Sequence, residues 1–224
     1  MTNVDKNIAR TTAKLLLEIN AVHFNSIKPF TLTSGLKSPV YIDCRKLISY
    51  PKARSIIINF CSEIITKKIG LNKIESLVGG ETAGIPFASF LACQLELPMH
   101  YVRKKPKGFG VNAHIEGNNI RGKKVILIED LTTDGGSKIK FCDSIRRAGA
   151  KVEDAIVLFY YNIYDDVIKK LQKSGINLFY LACWWDILDY CKEKKTIIDV
   201  KTVDQIEEFL NSPKEWSQKH DNKN

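Results

Sequence analysis

Long apolar runs are missing from this chain, and no stretch approaches the roughly 20 residues a helix needs to cross a bilayer. The segment Met1 to Arg10 is polar, carries acidic Asp5, and lacks the apolar centre and small-residue cleavage site of an export signal. Both absences lead to the expectation of a cytoplasmic protein with no membrane partner. Paired cysteines are missing too. None of Cys44, Cys61, Cys93, Cys142, Cys183 and Cys191 forms a C-x-x-C pair, and no histidine lies at metal-ligand spacing from them. Several sit in apolar runs (Phe60-Cys61, Ala92-Cys93, Ala182-Cys183), so the six are read as free, buried thiols in a reducing compartment. Two common nucleotide signatures fail as well. Gly79-Gly80-Glu81-Thr82-Ala83-Gly84 lacks the lysine of a P-loop, and no G-x-G-x-x-G follows a strand.

What is present describes an ordinary globule. The chain has 224 residues, 44% hydrophobic and 26% charged, enough for one large domain with a sizeable core. Its net charge of +9 suits nucleic acid, an anionic membrane surface or a polyanionic small substrate. Much of the excess lies in Arg103, Lys104, Lys105 and Lys107 and in Arg121 to Lys124.

Apolar positions Ala13, Leu16 and Leu17 predict an opening helix within residues 5–20, and Phe30 to Tyr50 predicts a short hairpin. Pro51 suits the first turn of a helix running to about Lys68. Apolar strands then alternate with helices. Strands are predicted at Ser76–Val78, Met99–Val102, Lys123–Glu129, Ala155–Tyr160 and Leu178–Ala182, with helices at Ile85–Glu96, Ser137–Ala148 and Val167–Ser174. This alternation predicts an α/β fold with a central parallel sheet flanked by helices. A last helix is predicted at Val203–Leu210, and residues 212–224 are expected to fray. Lys104 to Arg121, with three glycines and no period, reads as a basic lid over a charged substrate.

The most specific signal is Val125-Ile126-Leu127-Ile128-Glu129-Asp130-Leu131-Thr132-Thr133-Asp134-Gly135-Gly136-Ser137. An apolar strand runs into two acids, then a hydroxyl-rich turn, then a helix. Open α/β sheets hold ligands at the carboxyl ends of their strands, and such a turn offers N–H groups and hydroxyls to a phosphate. The acids beside it, with Asp130 expected on an exposed loop, suit sugar hydroxyls. A phosphorylated sugar satisfies both halves.

This segment resembles the motif that binds 5-phosphoribosyl diphosphate (PRPP) in the type I phosphoribosyltransferases. With Phe30-Thr31-Leu32-Thr33-Ser34-Gly35-Leu36-Lys37-Ser38-Pro39, Gly84-Ile85-Pro86 and Arg103-Lys104-Lys105-Pro106-Lys107, the likeness narrows to the orotate phosphoribosyltransferases and extends from about Phe30 to Trp185. The resemblance implies a single type I domain over residues 1–224, with hood elements in 1–50 and the PRPP-binding core in 75–185. It implies transfer of ribose 5-phosphate from PRPP to orotate, giving orotidine 5′-monophosphate and diphosphate. Glu129 and Asp130 would hold the ribose hydroxyls directly or through Mg²⁺, and Leu131, Thr132, Thr133, Asp134, Gly135, Gly136 and Ser137 would wrap the 5-phosphate. Arg103, Lys104 and Lys107 would meet the diphosphate, partly in the neighbouring subunit of a homodimer, and Thr133 would contact orotate. The catalytic set is then Lys107, Glu129 and Asp130. Thr33, Ala83 and Tyr161 stand where many relatives carry basic residues, all in the half of the site that meets the base.

Two alternatives stand beside this reading: a type I enzyme for a purine base, and a non-catalytic PRPP sensor that binds nucleic acid. The second is disfavoured, because about thirty residues before the first motif leave little room for a nucleic-acid module. His114 reads as a lid surface residue rather than a general acid, and His23 and His100 as structural. Trp184-Trp185 reads as packing rather than a stacking platform.

Overall fold

The computed structural model describes residues 5–32, 34–107, 114–194 and 198–221. Thr33 and residues 108–113 of the basic lid lie outside them. Helix α1 (Lys6–Glu18) starts at Asp5, whose carboxylate accepts from the Asn7 and Ile8 N–H groups at 2.8 and 3.3 Å. Its Ala9, Ala13 and Leu16, spaced four and three apart, form the buried stripe. Four short strands follow: β1 (Val22–Phe24), β2 (Phe30–Thr31), β3 (Lys37–Ser38) and β4 (Val40–Ile42). The expected hairpin is β2–β3, pairing Phe30 with Ser38, whereas β4 turns away to pair antiparallel with β1. A 3-10 turn, Cys44–Ser49, leads into α2 (Pro51–Ile64), with Pro51 in its first turn. The helix continues as a π-turn, Ile65–Ile69, that closes at Gly70 with φ +98°.

The central unit comprises β5 (Ser76–Gly80), α3 (Gly84–Leu95), β6 (Met99–Val102), β7 (Ile115–Glu116), β8 (Lys124–Thr132), α4 (Gly136–Arg147), β9 (Lys151–Tyr160), α5 (Val167–Lys173) and β10 (Asn177–Cys183). Together the strands make one six-stranded sheet of order β10-β9-β8-β5-β6-β7. All neighbours are parallel except β7, which runs back antiparallel along β6. The basic lid therefore begins and ends in a paired ribbon, not in an unstructured loop.

Helices cover both faces. On one, Phe87, Ala88 and Leu91 of α3 join Ile57, Cys61 and Leu16 over the inward side of the strands. On the other, Phe141, Cys142 and Ile145 of α4 meet Val167 and Leu171 of α5. After β5 the chain goes out to β6, then returns on the other side of β5 as β8. That reversal leaves a crevice between the carboxyl ends of β5 and β8.

The remaining elements are α6 (Trp184–Glu193), α7 (Val200–Asn211) and α8 (Pro213–Asp221). Three expectations change here. The described part of the segment from 212 does not fray: α8 buries Trp216 to 1% exposure, edge-on to Phe209 at 5.6 Å and stacked on His220 at 3.7 Å, while residues 222–224 lie outside the described residues. Its polar composition hid one large aromatic anchor. Helix α1 is not part of the hood, since its stripe packs on the sheet beside β10 and α6. Finally, Cys93 is exposed while the other five free thiols are buried, because it lies on the outer face of α3. Trp184 is packing as read: fully buried, edge-on to Phe159 at 5.2 Å and Tyr161 at 5.6 Å. Among the described residues no helix is long and apolar enough to cross a membrane.

Candidate active site

The crevice opens into a cleft of about 880 Å³. One wall is the turn after β5, with Glu81, Thr82 and Ala83; the floor is the end of β8, from Glu129 to Asp134; the hood wall carries Thr31, Leu32, Tyr41, Asp43 and Arg45. The Glu81–Thr82 peptide is cis.

Both acids belong to β8 itself: Glu129 as the predicted strand has it, Asp130 contrary to the exposed loop expected for it. Period-two alternation sends them to opposite faces of the strand, yet both line the cleft at its end. Glu129 is buried, and its Oε2 accepts from Lys138 Nζ at 2.8 Å, a pair whose side chains are 7% and 3% exposed. Asp130 is half-buried and faces the cleft. Burial pushes both carboxyls above the usual carboxylate range, and the Lys138 charge works against that rise in each. Gly80 and Gly84 make room for Glu129. A Cβ at either position would lie 2.5 or 2.7 Å from its Oε1.

Beyond Leu131, the chain passes through Thr132 and Thr133 into a turn whose Gly135 has φ +75°, a left-handed conformation open to glycine. Asp134 Oδ1 accepts from the Gly136 N–H at 3.1 Å, and its carbonyl accepts from Lys170 Nζ at 3.1 Å. Helix α4 starts there, so its first N–H groups border the cleft where Thr133 and Ser137 line it. Thr132 Oγ1 is buried with no hydrogen-bond partner among the described residues. An orphaned hydroxyl beside a helix N-terminus, in a cleft, is suited to a phosphate oxygen.

Of the basic set, only Lys104 lines the cleft; its backbone N–H donates to Glu81 Oε2 at 2.6 Å. Arg103 is turned away, paired with Glu116 at 3.2 Å and donating to the Lys105 carbonyl. Lys107 is exposed and is not among the lining residues of this cleft. His114 Nδ1 lies 3.1 Å from the Arg103 carbonyl at the base of the lid, a bracing position rather than an acid over the site.

Four charged lining residues were not singled out in the sequence: Lys138, Asp43, Arg45 and Glu81. Lys138 directly follows the Thr132–Ser137 turn, where its place in the first turn of α4 points it back beneath β8. An apolar-face position occupied by lysine was the available signal. For Asp43, Arg45 and Glu81 no local pattern marks the role.

The chain matches the phosphoribosyl transferase domain family over residues 50–185. It is 51% identical over 211 residues to an orotate phosphoribosyltransferase of Cereibacter sphaeroides, covering 94% of this chain and 90% of that one. The chain belongs to the orotate phosphoribosyltransferase family. A second family member, from Sinorhizobium fredii, is 49% identical over 96% of this chain and 93% of its own length. Among solved orotate phosphoribosyltransferases, that of Aeropyrum pernix superposes with a TM-score of 0.70 at 30% identity, over 81% of this chain and 98% of that one. The UMP synthase of Leishmania donovani gives 0.77 at 26% identity, over 90% of this chain and 42% of the longer neighbour. The matched span, residues 50–185, contains β5, β8 and the acid pair and hydroxyl-rich turn that border the cleft.

Proposed function

We propose that this enzyme transfers ribose 5-phosphate from PRPP to orotate, releasing diphosphate and forming orotidine 5′-monophosphate, a step of pyrimidine nucleotide synthesis. The observation that carries the reading is one continuous surface at the end of β8: a cleft-facing carboxylate, Asp130, followed directly by the Thr132–Ser137 turn with its unpartnered buried hydroxyl. A ligand gripped there has a phosphate one sugar away from a diol.

The chemistry breaks the bond from C1 to the diphosphate oxygen and makes one from C1 to a ring nitrogen of the base. Positive charge builds on the ribose and negative charge on the departing diphosphate. Asp130, held close to the sugar by β8, stabilises the first, and Lys104 the second. We assign Glu129 to the same sugar edge, oriented by Lys138. Thr132, Thr133, Asp134, Gly135, Gly136 and Ser137 hold the 5-phosphate, and Leu131 packs beneath it. Thr133, at the junction of turn and cleft, is our candidate contact to orotate.

Mg²⁺ fits this donor set. Its hard oxygen preference matches a site of one or two carboxylates completed by substrate phosphates. The described residues contain no cluster of three metal-ligating side chains, so Asp130, with Glu129, would hold the ion only together with PRPP. Bound there, it would supply charge neutralisation to the diphosphate.

Lys107, exposed and away from its own cleft, supports a homodimer in which the basic lid serves the neighbouring site. Arg103 joins it once released from Glu116. The six free cysteines support a cytoplasmic setting. The test is loss of orotate absorbance on mixing the protein with PRPP and Mg²⁺. Turnover with hypoxanthine, guanine or adenine, and none with orotate, would move the enzyme to a purine base.

A further inference from the structure

Orotate is a flat pyrimidine bearing one carboxylate, so a site for it needs a cation outside the groups that serve the sugar and the phosphates. Among the described residues lining the cleft, the cations are Arg45, Lys104 and Lys138. Lys138 is committed: its Nζ donates to Glu129 at 2.8 Å and to Ser137 Oγ at 3.2 Å, deep beneath β8. Lys104 stands on the opposite wall, its backbone tied to Glu81 beside the turn after β5. Arg45 remains, on the hood wall.

Its geometry is prepared for an anion. Arg45 is the second residue of the 3-10 turn that Asp43 caps, with its own N–H donating to Asp43 Oδ1 at 3.2 Å. The same carboxylate oxygen accepts from Arg45 Nε at 2.6 Å, which fixes the plane of the guanidinium. Neither terminal nitrogen has a hydrogen-bond partner among the described residues, although the side chain borders a cleft that also holds Asp130. A planar guanidinium with one nitrogen anchored and two free donors matches the two oxygens of a carboxylate. Beside it Leu32, Tyr41 and Ile48 offer the apolar surface that a pyrimidine ring requires.

We propose that Arg45 recognises the carboxylate of the base, with Asp43 as its positioning residue. The inference deepens the orotate reading and rests on it. It makes Arg45 the residue that separates orotate from uracil, the same ring without the charge.

Binding of the two nucleotides orotidine 5′-monophosphate and uridine 5′-monophosphate tests this without turnover. Calorimetry on the wild-type protein should favour the carboxylated nucleotide. In Arg45→Met, the carboxylated nucleotide should bind on the order of 10- to 100-fold more weakly while the other hardly changes, abolishing the preference. Arg45→Lys, which keeps the charge but loses the fork, should fall between. In turnover assays the KM for orotate should rise by a similar factor while the KM for PRPP holds. A preference retained in Arg45→Met overturns the inference and leaves the orotate reading intact. Equal weakening of both nucleotides also overturns it, since Arg45 would then meet the phosphate or sugar. No preference in the wild-type protein removes the orotate reading, and the inference with it. Arg45 is exposed, so both variants should fold, and unchanged melting temperatures check this.

Discussion

Asp130 occupies a position where function and stability pull in opposite directions. Burial raises its carboxyl pKa from the ordinary 3.8, with the Lys138 charge opposing. A carboxyl that holds its proton more tightly in the native state than in the unfolded one favours folding most at low pH. That advantage declines as pH climbs from the unfolded pKa through the native one. Asp130→Asn should therefore match the wild type in melting temperature at acid pH and equal or exceed it at neutral pH. Turnover should meanwhile fall on the order of 10²-fold. A marked loss of melting temperature at neutral pH would make Asp130 structural instead. Glu129 behaves differently because its partner is buried with it. Lys138→Met leaves a buried carboxylate without its cation, which should cost about 3–5 kcal/mol in urea unfolding. The double variant Glu129→Gln/Lys138→Met removes both charges and should regain most of that loss, while Glu129→Gln alone strands the lysine. If the double variant is as unstable as Lys138→Met, the pairing does not account for the burial of either group.

At the scale of elements, α8 joins the last residues of the described chain to the substrate site. Ser217 Oγ accepts from the Lys37 N–H at 2.9 Å, and Lys37 Nζ reaches Thr31 Oγ1 at 3.2 Å, so the helix clips the hairpin whose other strand borders the cleft. Trp216 anchors the clip. Trp216→Ala should destabilise the protein by about 3–5 kcal/mol, the usual cost of emptying a buried aromatic site. Ser217→Ala should cost much less in stability and act on the hood, raising the KM for orotate with little change in that for PRPP. An unchanged orotate KM would mean that the hairpin holds its place without the helix. The clip also shows where reading the sequence stops. The five parallel strands of the sheet were legible because parallel, two-sided burial leaves apolar runs such as Val125–Ile128, whereas the two-residue antiparallel β7 was not. The hood strands have two or three residues each, too short to show alternation. Nothing polar in Pro213–Asp221 announces that its one tryptophan fills a distant pocket, a fact of tertiary packing.

For the whole molecule, the proposed site divides into groups that meet in the cleft and groups that stand outside it. The acid pair and the hydroxyl-rich turn could be picked out because they are contiguous in sequence and lie at the switch between β5 and β8. Lys138 and Arg45 could not, because their roles depend on partners nine and two residues away in register with a buried strand and a capped turn. Lys107 is the reverse case: conspicuous in sequence, yet exposed and outside the cleft of its own chain. If the lid serves the neighbouring subunit, a site needs Asp130 from one protomer and Lys107 from the other. Lys107→Ala and Asp130→Asn homodimers should each be nearly inactive, the former by about 2–4 kcal/mol of barrier. Co-refolding them in equal amounts makes about half the dimers hybrid. Each hybrid has one site with both lesions and one with neither, so activity should return to about a quarter of the wild type. A lid acting within its own subunit gives every site in the hybrid one lesion, and mixing would then restore nothing. The recovered fraction therefore reads the path of the lid directly, through a geometry that no single chain contains.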